Sequence, residues 1–346
     1  MDLDRETEEF KSQCLDYLDN VLEEIEGFGD DIYILSDEHL ASLNIRKLEP
    51  LDVEEQFVDF GPRSFYPRFT LEQAQQRTAD FVAGHEEYLG YHIWPKRCRR
   101  GSYVSVLEDP QGYYDPEEMH PLCDPVTDAR FRLRWFLEVS GMGYGSHPGE
   151  ADLGVWDGSE WYCIHACDLV PGGRYNLPLR NPRDTLVGDP PRPYAFHVCM
   201  AFLIEDPSAE KPHIGGTVVD STESGERDVL RSEVAAAIGL LKHQFRRGDF
   251  RQHHTLPAIV FSFQHDKFGR ITQFHFDGRS LMLRQSRLLN FRSDEPTTDA
   301  YHMLRWMANQ PMDETRFLKT GADVVKGTEL DTDKTDGRLP VDVPGS

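Results

Sequence analysis

Apolar and polar residues alternate along this chain in two different periods, separated by long stretches with no period at all. Over residues 4–26 apolar side chains recur at Phe10, Cys14, Leu18, Val21, Leu22 and Ile25, with acids filling the other positions. That spacing predicts one amphipathic helix, closed by Gly27 and Gly29. DIYILS (31–36) predicts a short strand, and Ser36 is placed to cap a brief helix through Leu43. Residues 44–68 contain three prolines and read as an extended surface connection. Thr70 and Gln73 then make a capping-box pair for a helix whose face carries Leu71, Ala74, Thr78, Phe81 and His85.

Further along the period shortens to two. FRLRWFLEVSG (131–141) alternates and is rich in aromatics, so it predicts a strand. GVWDGSEWYCIHACDL (154–169) predicts a hairpin turning at Asp157–Gly158. AFHVCMAFLIE (195–205) fits a buried strand or a short core helix, and its composition leaves both open. Residues 171–194 read as an irregular excursion, and residues 206–225 as a polar, turn-rich break where the chain would divide. From Ser224, read as a cap, Leu230, Val234, Ala237, Ile238, Leu241 and Phe245 trace a helix that Gly248 stops. Arg251–Phe291 predicts three strands in a meander, with tight turns at Asp266–Gly269 and Asp277–Gly278. Thr298 then caps a helix through Asn309 that buries Tyr301, Leu304, Met307 and Ala308.

These elements define an α+β fold: a mixed or mainly antiparallel sheet with flanking helices. Residues 1–60 read as an acidic helical arm and its extended connection, and residues 61–312 as the globular body. Residues 313–346 have too few apolar side chains to offset their ordering entropy and read as a disordered tail.

Composition narrows the class. With 346 residues, 39% hydrophobic and 28% charged, the chain can bury a sizeable core. No apolar run reaches the roughly 18 residues of a membrane helix. The acidic start MDLDRETEEF is unlike a basic leader. Six scattered cysteines argue for reduced thiols rather than a disulfide framework. An intracellular protein, cytoplasmic or nuclear, follows.

The net charge of −23 is uneven: residues 1–60 hold 19 Asp/Glu against 4 Lys/Arg, whereas residues 227–305 hold 13 Lys/Arg against 8 Asp/Glu. The overall acidity therefore leaves room for an anionic ligand on the basic region, because screening makes the local field decisive. Arg246, Arg247, Arg251, His253 and His254 lie where a helix hands over to the first meander strand, and Arg279, Arg284 and Arg287 surround the third. If they converge, they form a polyanion site within residues 242–292. Neutralisation of nearby acids explains the same residues without a ligand. The acidic helix of residues 4–26 is a surface for a protein partner, or else docks on the basic face and masks it. Masking predicts that deletion of residues 1–30 raises polyanion affinity.

The chemistry is sparse. Cys163, His165 and Cys167 share one strand face, and His197 or Cys199 from a neighbouring strand would complete four zinc ligands. Core packing of small thiols accounts for the same pattern. Lys96–Arg100 is a dense basic run, read as an import address, a phosphate contact or plain surface. Residues 141–149 are glycine-rich but lack a phosphate-loop pattern, and no G-x-S-x-G, H-E-x-x-H or Walker motif is present. No cofactor is implied.

The order helix–strand–strand–strand–helix over 224–309 invites comparison with the PD-(D/E)XK nuclease-like core. That core places an acid on the first helix, an Asp on the second strand and Glu-x-Lys on the third. Here Glu233 lies on the helix and Asp277 closes the second strand, but Leu281–Gln285 supplies no carboxylate. A scaffold that binds without cleaving is what this pattern implies. The string His254, Pro257–Val260, Arg270–Ile271, Phe276–Gly278, Leu281, Arg284, Ser286, Arg305–Met307 and Pro311 resembles a group of uncharacterised proteins from filamentous fungi. The resemblance covers about the last third of the patterned chain, and implies a fold and a lineage without an activity. The leading expectation is a non-enzymatic interaction protein. The alternatives are a nucleic-acid binder or processor on a degenerate nuclease-like core, and a thiol- or zinc-dependent enzyme.

Overall fold

A computed structural model describes residues 3–29, 31–54, 65–84, 133, 136, 161–165, 196–204, 211–250, 253, 255–264, 267–276, 279–293 and 295–311, with backbone alone at 3–7, 163–165 and 197. The helices whose bounds lie among these residues are α1 (Leu3–Gly27), α2 (Asp37–Ser42), α3 (Leu71–Gly84), α4 (Arg231–Arg247) and α5 (Thr298–Met307). Two short antiparallel ribbons pair β1 (Ile34–Leu35) with β7 (Val229–Leu230), and β3 (Phe65–Tyr66) with β12 (Gln310–Pro311). The main sheet contains β2 (Ile45–Lys47), β4 (Trp161–His165), β5 (Phe196–Ile204), β6 (Ile214–Asp220), β8 (Ala258–Gln264), β9 (Phe268–Phe276), β10 (Leu281–Gln285) and β11 (Leu289–Asn290). Its spatial order is β2-β10-β9-β8-β6-β5-β4, with β11 also paired to β9. The fold is α+β.

The meander forms as its alternation predicts: β8 to β9 and β9 to β10 are antiparallel. In contrast, β6 and β8 are parallel neighbours, and parallel strands need a crossover, which α4 supplies. β6 falls inside the stretch expected to be a break. Its Gly215 and Gly216 look like turn residues, but they serve close approach. A Cβ on Gly215 would lie 3.0 Å from Phe202 and 3.1 Å from Ile259, and one on Gly216 would lie 3.1 Å from Leu240 of α4. Gly269, assigned to a turn by sequence, likewise sits in β9 beneath the Phe291 ring, where a Cβ would come within 2.5 Å.

Apolar side chains fill both faces of the sheet. On one face α1 and α4 pack their Cys14, Leu18, Ile25, Val234, Ile238 and Leu241 onto Val218, Val260, Phe274 and Leu281. On the other, α5 sets Met303, Leu304 and Trp306 against Phe261, Phe263, Ile271 and Phe291. Two indoles tie this side together: Trp161 donates to the Asn309 carbonyl (2.8 Å) and Trp306 to the Val53 carbonyl (3.1 Å). The stripe of α1 is thus core: Cys14 and Leu18 have no exposed surface. Tyr17 stacks on Phe276, with centroids 4.7 Å apart, and donates to the Leu43 carbonyl.

Several local expectations hold closely. Ser36 caps α2, Thr70 and Gln73 exchange the two capping-box bonds, and Gly248 ends α4 in the left-handed region (φ 76°). AFHVCMAFLIE is a strand. Others are corrected. Ser224 does not cap α4, which starts at Arg231 after β7, and Leu230 is the last residue of β7 rather than part of the helical stripe. The cap of α5 is Thr297, one residue earlier than expected. Ile45–Lys47, read as connection, is a strand parallel to β10. Leu133 and Phe136, expected in a strand, are helical, and their three-residue spacing puts both in the core beside α5. The residues 154–160 of the expected hairpin, the turn residues Asp277–Gly278, the Lys96–Arg100 run and the 313–346 tail lie outside the described residues.

Candidate functional site at the two ends of helix α4

The polar residues of the α4-facing side of the sheet collect where β6 and β8 end and α4 begins. Alternation along the strands puts Ser262 and Gln264 of β8, Arg270 of β9 and Gln285 of β10 on this face. Asp220 closes β6, and Ser232 and Glu233 open α4. Asp220, Ser232, Glu233, Ser262 and Arg270 have no exposed surface. No hydroxyl caps α4. Instead the Glu233 carboxylate accepts from the Leu230 backbone N–H at 3.4 Å, a negative charge at the positive end of the helix dipole.

The hydrogen bonds close into a ring. Arg270 donates to Ser224 Oγ (3.2 Å), Ser224 donates to Gln264 Oε1, Gln264 Nε2 donates to Ser262 Oγ (3.3 Å), and Ser262 donates to Glu233 Oε1 (2.6 Å). The Arg270 guanidinium returns to Glu233 Oε2 at 3.8 Å and also donates to the Gly225 and Asp228 carbonyls. Gln285 Nε2 donates to Glu233 Oε2 at 3.2 Å. Arg270 only donates and Glu233 only accepts, while Ser224, Gln264 and Ser262 between them both give and receive, which strengthens the chain of bonds in a low-dielectric interior. Loop 221–228 is the cover, and Arg270 holds it by its carbonyls. Beside the ring, Ser232 donates to Asp220, and the Thr222 N–H donates to it at 2.8 Å. Burial still dominates, pushing the Asp220 carboxyl up to about 6 against the bonds from Ser232 and Thr222, with Glu233 adding repulsion.

This geometry bears on the nuclease-like comparison. Glu233 is on the helix as that pattern asks, but an arginine from the second meander strand and an amide from the third face it. Asp277 lies outside the described residues. Among those described, no three His, Cys, Asp or Glu side chains come together in a metal-holding cluster. Sequence reasoning passed over Ser262, Gln264, Arg270 and Gln285. Their signal was present: polar residues recurring on one face of otherwise apolar strands.

The other end of α4 carries the expected basic residues. Lys242 and Arg246 both pair with Asp19 of α1, Arg246 at 3.4 Å. Arg247 pairs with Asp249 (2.9 Å) and lies over the Phe250 ring, while His253 is buried with its ring edge-on to Phe250. Arg251 and His254 lie outside the described residues. The third-strand arginines are elsewhere. Leu281 and Leu283 face α1 and α4, so Arg284, one residue on, projects from the opposite face. Arg287 binds Asp299 through both carboxylate oxygens (2.7 and 3.0 Å) and reaches Glu54 (2.9 Å). Burial pushes Asp299 up, but Arg287 and the Asn290 N–H outweigh it and hold it below its ordinary value. Arg279 is exposed at the start of β10, its carbonyl accepting from Asn44. Among the described residues, Arg284 and Arg287 thus stand apart from Arg246 and Arg247 of α4.

Of the thiol candidates, Cys163 and His165 lie on β4 opposite Phe202 and Met200 of β5, with their side chains outside what is described, as is all of Cys167. Cys14 is buried and its thiol is pushed up to about 12 by desolvation, which makes it a poor nucleophile. The outward face of α1 exposes Glu8, Glu9, Asp16, Asp19, Glu23, Glu24 and Glu26. No described helix is long and apolar enough to cross a membrane. No family model matches this chain, and no curated protein or solved structure is significantly similar to it.

Proposed function

We propose that this chain is an intracellular, non-enzymatic binding protein that meets a basic polypeptide through the acidic face of α1. The supporting observation is a division of labour between carboxylates. Glu233 and Asp220, buried at the head of α4, are answered by the chain's own donors, whereas the α1 acids face solvent on a helix anchored in the core. A rigid acidic face attracts a cationic partner at long range and sets its on-rate. The test is fluorescence anisotropy with a labelled Lys/Arg-rich peptide, in a salt series. Neutralising Asp16, Glu23 and Glu24 to their amides is expected to weaken binding about tenfold at low salt and less at high salt. Equal binding by both proteins would remove the proposal.

A second reading, a nucleic-acid binder on a degenerate nuclease-like core from a fungal lineage, is supported by the meeting of Glu233, Arg270 and Gln285 from helix, second strand and third strand. In that reading Arg270 stands where a cation would otherwise sit. Salt-sensitive retention on heparin by the full chain is the measurement that favours it, and passage at low salt counts against it.

A further inference from the structure

Loop 221–228 joins β6 to β7 and covers the carboxyl ends of the parallel strands β6 and β8, the place where open sheets receive ligands. Its sequence, STESGERD, has no apolar side chain, although Val219 and Val229 on either side of it are fully buried. What holds it down is polar. At its start the Asp220 carboxyl takes the Thr222 N–H (2.8 Å) and the Ser232 hydroxyl, tying the loop to the first turn of α4. In its middle Arg270 donates to Ser224 Oγ and to the Gly225 and Asp228 carbonyls. Towards its end Gln285 reaches the Asp228 carbonyl (3.2 Å), Lys47 the Arg227 carbonyl (3.3 Å), and Glu226 accepts from the Leu288 N–H (2.9 Å). A segment fastened this way opens more readily than the apolar core beneath it.

The charges under the loop make one of these fastenings conditional. Asp220 and Glu233 are neighbours with no exposed surface, and Arg270, equally buried, rests on Glu233 at 3.8 Å. Ser232 and Thr222, which bond Asp220, are neutral. The strands on either side set Phe196 and Gln264 opposite it. Of the other charged groups nearby, Arg231 turns to the Gly29 and Ile32 carbonyls (3.0 and 3.2 Å), and the Asp228 carboxylate takes the Gly225 N–H (2.7 Å). Glu223, Glu226 and Arg227 are exposed. Burial, with repulsion from Glu233 added, outweighs the bonds from Ser232 and Thr222 and holds the Asp220 carboxyl up at about 6.

We propose that loop 221–228 is a proton-operated latch: a protonated Asp220 keeps it shut over the floor of Ser262, Gln264 and Glu233, and loss of that proton to solvent releases it. Once the loop lifts, Asp220 meets water and its carboxyl returns towards the ordinary 3.8. Between 3.8 and about 6 the shut form therefore holds more proton than the open one, so closure is firmest at low pH and weakens as pH rises through that window. The latch lies at the opposite end of α4 from Asp19 and does not rest on the partner reading of the α1 acids.

The test is hydrogen exchange of the full chain, read by mass spectrometry from about pH 4.5 to 7.5, with each rate corrected for the intrinsic rate of its amide. Peptides covering 221–228 are expected to lose protection by about tenfold per pH unit up to about 6 and to level off above it, the slope of one released proton. Amides of β8 report global unfolding and are expected to stay at least about tenfold better protected throughout. Asp220→Asn keeps an acceptor for Thr222 and a donor for Ser232 without a titrating proton, and is expected to hold the low-pH protection at every pH. The same slope in that variant overturns the proposal. So does loop protection equal to that of β8, which would mean that the loop opens only with the whole fold. A wild-type loop whose protection ignores pH is enough to overturn it, whatever the variant does.

Discussion

The two ends of α4 solve opposite problems with similar residues. At the N-terminal end, nine-tenths or more of Glu233, Arg270, Ser262 and Gln264 is buried, and each carries a hydrogen bond to another member of the same ring. At the C-terminal end, Gln244 is equally buried but its Oε1 has no donor among the described residues, and no described carboxylate pairs with Lys11 beside it. The first end is stapled shut by the carbonyls of loop 221–228; the second is walled by phenylalanines and open. The closed ring specifies how the helix is seated on its sheet. Richness in charged residues does not by itself distinguish the two.

The largest expected effect comes from breaking the ring. Arg270→Met or Glu233→Ala strands a buried charge and should cost about 3–5 kcal/mol in urea unfolding. The Arg270→Met/Glu233→Ala pair should cost clearly less than the sum of its singles, because the two act together. Additivity would show that the ring is not a unit. Next, Leu18→Ala should cost about 2–5 kcal/mol, as for other fully buried leucines. A cost below ~1 kcal/mol would mean that α1 is a detachable arm.

The acid at the closed end offers a sharper, pH-dependent test. The Asp220 carboxyl rises from an ordinary 3.8 to about 6 on folding, so between those values the native state holds more proton than the unfolded one. Stability from this group is therefore greatest at low pH and falls as pH rises through about 4 to 6, by on the order of 1–3 kcal/mol. Asp220→Asn should flatten that part of the curve, leaving the variant relatively favoured at pH 7. The same slope in both proteins would refute the assignment. The smallest effect is expected at the open end. Asp19→Asn removes a half-exposed partner of Lys242 and Arg246 and should cost about 0.2–1 kcal/mol, while raising heparin retention modestly at low salt if α1 masks those bases.

Elements set by neighbours in sequence were legible before any fold was known. The apolar stripe of α1, the Thr70–Gln73 capping box, Gly248 and the three-strand meander are local matters, because period and capping chemistry act within a few residues. Elements that depend on distant partners were not. Gly215 and Gly216 read as turn residues until α4 and Phe202 are seen pressing on them. Ile45–Lys47 is too short to show alternation and is a strand because β10 offers it an edge. Whether the basic residues of 246–287 converge was left open by the sequence, and strand parity sends Arg284 through the sheet to the far side from α4.

From its sequence alone, then, this protein is an α+β molecule with a strongly acidic first helix and a β-meander held between amphipathic helices, since hydrophobic periodicity carries that information directly. Only the tertiary structure decided that Glu233 meets Arg270, that Asp220 is sealed beneath loop 221–228, and that Gln244 and Lys11 share an open groove. Glu233 and Arg270 stand 37 positions apart, and their meeting follows from strand register and helix crossing, which a linear pattern does not encode.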